Sequence, residues 1–325
     1  MTSPLRERLR HGALEEYRRW SVRDSGGGPA DAILVAGSQR GGTRLVQRVI
    51  THGATIRLMS EPFRPDLVPD VRGVPEWVYL RPNDQRFAGL IAAVMSGHPR
   101  HNRWVNRENT VRVARRRLVR AVRAHGWLGW FSQEFPGTPV VAVVRHPVTA
   151  AASQRRHGGS DHLDSLLRQP ELVYDHLEPQ LALLEELHTP WERLVGTWCA
   201  QTHVLLRTMD ETRGTLVLLE DLVRDPGAQS SRLLEATSVT PDPDLLAATL
   251  APRRQADEGT IDLRSGADRL SSALDAVPSE ERRQAMRIVE AFGLDVVYGD
   301  TALPDSAAAH RLWATPAVDG RGTPE

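Results

Sequence analysis

Apolar positions along this chain fall into a few unbroken runs, separated by longer stretches with helical spacing. Ala32-Ile33-Leu34-Val35-Ala36 is rich in β-branched residues and bounded by Gly37. That is the pattern of a strand buried on both faces of a parallel sheet. Beyond the glycine-rich stretch 37–42, Leu45, Val46, Val49 and Ile50 recur at helical spacing. The run Pro139-Val140-Val141-Ala142-Val143-Val144 is the clearest strand and leads into Arg145-His146-Pro147 and a helix over 149–156. Thr215-Leu216-Val217-Leu218-Leu219 is a third strand, ending in Glu220-Asp221-Leu222.

Helical spacing also appears over 5–20 (Leu5, Leu9, Ala13, Tyr17, Trp20), 110–125, 181–210, 227–237, 243–250 and 278–292. The arginines of 110–125 are expected on an exposed helix face. The segment 62–104 is rich in Pro, Trp and Arg and has no period, as in irregular insertions that build substrate pockets. Strands alternating with helices predict an α/β fold, a parallel sheet flanked by helices. A peripheral helix and linker are expected over 1–30, one domain over 31–300 and a disordered tail over 301–325.

Composition narrows the chemistry. Forty-one basic residues balance forty-one acidic ones, so no basic footprint for nucleic acid is expected. Every basic residue is arginine; with no lysine, no ammonium can hold a phosphate and no Schiff base can form. The lone Cys199 excludes an internal disulfide and argues against a thiolate metal site, so no metal is expected. The absence of an eighteen-residue apolar run or an apolar leader predicts no membrane span and a cytoplasmic location.

In an open parallel sheet, ligands bind beyond the carboxyl ends of the strands. Three strand ends carry polar signatures. The first is Gly37-Ser38-Gln39-Arg40-Gly41-Gly42-Thr43-Arg44. Its glycines can turn backbone N–H groups toward an anion at a helix N-terminus. Arg40 adds a guanidinium fork suited to tetrahedral oxyanions. The spacing is close to the nucleotide-triphosphate loop G-x-x-x-x-G-K-[ST], but the final pair is Thr43-Arg44, which disfavours magnesium-dependent kinase or hydrolase chemistry. The second is Arg145-His146-Pro147 with Ser153 eight residues after Arg145, two groups that could grip one phosphate. The third is the acidic turn Glu220-Asp221.

Taken together, Arg40-Gly41-Gly42-Thr43, Arg145-His146-Pro147…Ser153, Glu220-Asp221-Leu222-Val223-Arg224-Asp225-Pro226 and Phe292-Gly293-Leu294…Tyr298-Gly299-Asp300 resemble the sulfotransferases that use 3′-phosphoadenosine 5′-phosphosulfate (PAPS). The resemblance runs, with gaps, over 31–300. It implies a P-loop-like sulfotransferase fold, PAPS as donor, and a small-molecule or glycan hydroxyl acceptor. It implies that Arg40, Gly41, Gly42, Thr43 and Arg44 hold the 5′-phosphosulfate and that Arg145 and Ser153 hold the 3′-phosphate. The segment His52…Glu61-Pro62 is similar to the carbohydrate- and tyrosylprotein-sulfating branches, which makes Glu61 the general base. His98 and His101 are rival bases, since the cytosolic branch uses a histidine. Trp104-Val105-Asn106-Arg107 resembles a stretch whose cation touches the leaving group, a role that would fall to Arg107. Leu45 stands where the family often has an adenine-stacking aromatic, so the stacking ring must come from elsewhere, with Trp198 as a candidate. Relatives are often dimers, which implies a homodimer. Two other readings stay open: a P-loop nucleotide kinase or hydrolase, and a catalytically inactive nucleotide-binding relative.

Overall fold

The structure is a computed structural model; it describes residues 22–242, 244, 246–247 and 266–314. Its strands are β1 (Arg23–Asp24), β2 (Ala32–Gly37), β3 (Ile56–Ser60), β4 (Val113–Ala114), β5 (Arg116–Ala121), β6 (Val140–Val144) and β7 (Thr215–Leu218). Five of them form one sheet in the order β3-β5-β2-β6-β7, and every neighbouring pair is parallel. Successive strand residues face opposite sides, yet β2 and β6 are buried along their whole length. Both faces of the sheet are therefore covered, as the sequence pattern requires. The α/β fold with a parallel sheet flanked by helices is the fold observed.

Two strands of the five-stranded sheet, β3 and β5, depart from the sequence reading. The stretch 110–125, expected as a helix with exposed arginines, carries β4 and β5, and Ile56–Ser60 is the edge strand β3. Both strands hold buried arginines, which broke the apolar runs. Arg57 and Arg117 sit opposite each other in the ladder and are fully buried. Asp24 takes both nitrogens of a bidentate pair from Arg117 at 2.9 Å and Nη1 of Arg57 at 3.2 Å. The remaining guanidinium donors reach the carbonyls of Gly28, Met95, Gly97 and Pro99 and the side chain of Asn106. Such pairing offsets the cost of burying two cations.

Asp24 lies in the stretch expected to be linker. It is bonded into the domain instead: β1 pairs with β4, and the Ser25 N–H donates to the Ala114 carbonyl. The expected disordered tail also needs correction up to residue 314. Ser306–Ala314 is a helix whose Trp313 is buried, and Ser306 donates to Asp221 at 2.6 Å. Residues 315–325, the expected helix over 5–20 and most of that over 243–250 lie outside the described residues. The 62–104 segment is largely irregular but contains the helix Ala88–Met95. Among the described residues no helix is long and apolar enough to cross a membrane.

Candidate active site

Because every strand of the main sheet is parallel, the tips of β2, β3, β5, β6 and β7 emerge on one side. The chain leaves β2 for the edge strand β3, returns through β5, and then crosses to β6 and β7. The tip of β2 is therefore the point where connections diverge, and the loop Ser38–Gly42 lies on it.

The loop is tightly folded. A Cβ on Gly41 would meet Ser38 Oγ at 2.8 Å, and Gly42 has φ of 97°, a left-handed conformation suited to glycine. Arg40 also adopts a left-handed backbone, at φ 61°. Such strain persists where the surroundings impose it, often at functional sites. The helix Thr43–Thr51 starts directly after the loop, so its free N–H groups face the same space.

Arg40, Arg145 and Ser153, 113 residues apart at the extremes, come together here. Arg145 Nη1 donates to the Arg40 carbonyl at 3.0 Å, and Arg40 Nε donates to Ser153 Oγ at 3.2 Å. Arg145 Nε is held by Thr149 Oγ1 at 3.0 Å. Burial lowers the Arg145 guanidinium to about 10, and burial followed by the charges of Arg44 and Arg156 lowers that of Arg40. Both remain cations at neutral pH. Among the described residues, neither makes an ion pair with a carboxylate.

The tip of β6 is fixed from behind. Glu220 Oε1 accepts the His146 N–H at 2.9 Å, and Glu220 Oε2 accepts the Tyr298 hydroxyl at 3.1 Å. Trp198 donates its indole N–H to the Arg145 carbonyl at 3.0 Å and packs edge-on to Tyr298. Trp198 is thus a buried brace for the Arg145 backbone. The expectation that it stacks on adenine is corrected: its ring is 4% exposed. The acidic turn and the Tyr298-Gly299-Asp300 ending share this bracing role.

Burial raises the Glu220 carboxyl from 4.5 to about 6. A folded-state value above the unfolded one gives a stability contribution fully present below pH 4.5 and lost as pH rises through 6. The rise corresponds to about 2 kcal/mol. Glu220→Gln should therefore gain stability relative to the wild type between pH 4.5 and 7 by about that amount. Denaturant unfolding at the two pH values checks this, and parallel profiles for the two proteins would refute it.

A second cluster forms at the tips of β3 and β5. Glu61 follows β3 directly, with φ of 50° and 7% exposure. Its Oε2 accepts the Val122 N–H at 3.1 Å, and Arg120 and Arg123 approach its two oxygens at 3.6 and 3.9 Å. Arg120 also binds Glu108 at 2.8 Å, and Glu108 in turn meets Arg44 at 3.3 Å and Gln47 at 3.1 Å. This relay of charge links Glu61 to the first turn of the helix after the loop. Arg107 stacks on Trp104 at 3.4 Å and donates to the Ser60 carbonyl at 3.3 Å. Burial, then the charge of Arg120, lowers its guanidinium to about 10.

The rival bases sit elsewhere. His98 is exposed, and its neighbours Gly97 and Pro99 cap Arg57 near the start of β3, the opposite end from Glu61. His101 is exposed in the same stretch. Arg120, Arg123 and Glu108 were missed by the sequence reading. A signal existed in the arginines of 115–123, but it was assigned to a solvated helix face.

No protein-family model matches the chain, and no curated protein matches it in sequence. Solved structures similar to the chain include three sulfotransferases at 15% identity. One is a sulfotransferase domain from the curacin biosynthetic pathway (TM-score 0.40, covering 84% of this chain and 99% of that one). Another is a sulfotransferase from Alicyclobacillus acidocaldarius (0.38, 84% and 96%). The third is a sulfotransferase domain from the Synechococcus PCC 7002 olefin synthase (0.36, 83% and 96%).

Proposed function

We propose that the chain transfers a sulfuryl group from PAPS to an acceptor hydroxyl, giving a sulfate ester and 3′,5′-ADP. The observation that carries this reading is the convergence of Arg40, Arg145 and Ser153 at neighbouring strand tips. The donor set fits a nucleotide with anions at both ends. Two guanidiniums without carboxylate partners among the described residues repel each other until an anion joins them. Buried hydroxyls stand beside both.

The N–H groups of Gly42 and Thr43, with Arg40, would hold the phosphosulfate end, while the Gly41 N–H donates to the Ser38 carbonyl at 3.0 Å and keeps the loop tight. Arg145 and Ser153 would hold the 3′-phosphate. Arg44, which is exposed and tied to Glu108, stands at the rim. PAPS supplies an activated sulfur–oxygen bond. Glu61 takes the acceptor proton as the acceptor oxygen bonds to sulfur and the bond to the 5′-phosphate breaks. Arg40 and Arg107 neutralise the charge that gathers on the equatorial and leaving oxygens, the electrostatic role that dominates such transfers. Val122, Arg120 and Arg123 orient the Glu61 carboxylate.

Incubation with PAPS and a panel of hydroxyl acceptors, followed by mass spectrometry, tests the reading. The expected result is a sulfate ester accompanied by 3′,5′-ADP. Phosphoryl transfer from ATP with magnesium would establish a kinase in its place. Binding of 3′,5′-ADP with no product from any acceptor would establish a nucleotide-binding relative.

A further inference from the structure

Beside the loop lies a small cavity whose walls include Ser38, Gln39, Trp77, His162, Thr197 and Gln201. Three of these carry buried polar atoms with no hydrogen-bond partner among the described residues: Trp77 Nε1, Thr197 Oγ1 and Gln201 Nε2. Their residues are 3%, 5% and 4% exposed. Buried donors are rarely left unpaired, and each unpaired one is costly. Trp77 and Gln201 also line the adjoining apolar cavity against His125, and an oxygen-bearing guest in the first cavity would lie beside all three residues.

The walls also define the guest's charge. Among the described residues no arginine or carboxylate lines the cavity, in a chain with forty-one of each. Its one titratable ring, His162, is lowered from 6.5 by burial and then by Arg123, so it is neutral at pH 7. An anionic guest would lose its hydration without gaining a counter-charge.

Position ties the cavity to the reaction. Ser38 and Gln39 belong to the loop, and Gln39 Nε2 lies 3.2 Å from His162 Nε2. His162 stacks on Trp77 at 4.6 Å, and Arg123, which approaches Glu61, lies over the other ring system of this group at 5.5 Å from the Trp77 centroid. The cavity therefore sits between the loop and the surroundings of Glu61. Trp77 has a left-handed backbone, as Arg40 and Glu61 do.

We propose that this cavity is an acceptor-recognition subsite that takes an uncharged hydroxyl of a polyol acceptor, separate from the hydroxyl that reacts. Its identity as part of an acceptor site rests on the sulfuryl-transfer reading above. Trp77 and Gln201 donate to the guest oxygen, and Thr197 accepts its proton. The acceptor class is then a neutral diol or polyol, and simple alcohols and carboxylated analogues bind less well.

The test follows the Trp77 indole N–H in a ¹⁵N–¹H correlation spectrum, assigned by its loss in Trp77→Phe. Glycerol should shift this resonance in a saturable manner, glycerate should not, and Gln201→Leu should weaken the glycerol response at least several-fold. Absence of a glycerol shift, as for a cavity filled only by structural water, would overturn the proposal. So would an equal response to glycerate or an unaltered response in Gln201→Leu. Calorimetry with 3′,5′-ADP on the same proteins separates the two claims. A glycerol shift without nucleotide binding leaves a polyol site and removes the sulfuryl-transfer reading. Nucleotide binding without a glycerol shift removes the subsite alone.

Discussion

Glu61→Gln is expected to lower turnover by about 100- to 10,000-fold, the usual contribution of a positioned general base, while the affinity for 3′,5′-ADP stays unchanged. Glutamine keeps the shape of the side chain. Its amide oxygen can still accept the Val122 N–H, so the turn after β3 keeps its bond. What disappears is the ability to take a proton. Arg120 and Arg123 lose their contact charge on this side but retain Glu108 and Glu76, at 2.8 and 3.4 Å. Steady-state rates with PAPS and nucleotide calorimetry on the same preparation check the result. Normal turnover would make Glu61 a structural anchor for the two arginines, and joint loss of turnover and nucleotide binding would mean that the site had collapsed.

The largest effect on stability is expected at Asp24. Asp24→Ala leaves two fully buried guanidiniums facing each other across adjacent strands without the carboxylate that binds both. Removing one partner of a buried charge cluster costs about 3–5 kcal/mol, a large part of the stability of a typical domain. Burial pushes the Asp24 carboxyl up, but the hydrogen bonds and charge of Arg117, together with the Gly26 N–H and Arg57, outweigh it and hold it below 3.8. The depressed value means that its contribution is present above pH 3.8 and is lost as pH falls below it. Denaturant unfolding should show the loss in Asp24→Ala at pH 7, and a smaller difference between the two proteins in acid. A change below 1 kcal/mol, within the range of an exposed pair, would show that the cluster is not sealed from water.

The parts of this fold legible in the sequence were those whose burial is apolar. β2, β6 and β7 are unbroken Val/Leu/Ile/Ala runs, and the loop and the Arg145 tip were read from their ends. β3 and β5 were not legible because Arg57, Arg117 and Arg120 occupy inward positions. Each of these three arginines is met by a carboxylate from another element. Those carboxylates, Asp24 and Glu108, lie 33, 93 and 12 residues from the arginines they bind. No periodicity announces such a pairing. For the same reason, the Arg120–Glu108 bridge beside Glu61 was missed while Glu61 itself was found. Trp198 is only a candidate stacking ring from the sequence, because an indole reads alike as a stacking platform and as a core brace until its N–H partner, the Arg145 carbonyl, is known. The tail was read as disordered from its small and polar residues, although Trp313 and Ser306 dock it onto the domain.

The central claim is that the Arg40 loop and the Arg145 tip serve one ligand carrying anions at both ends. Isothermal calorimetry of the unmodified protein with 3′,5′-ADP and with 5′-AMP tests it most directly, since the two ligands differ only in the 3′-phosphate and, at the 5′ side, by no change at all. Charge-assisted hydrogen bonds to that phosphate are worth about 1.5–3 kcal/mol, so 3′,5′-ADP should bind roughly 10- to 100-fold more tightly. Equal affinities for the two nucleotides would contradict the account.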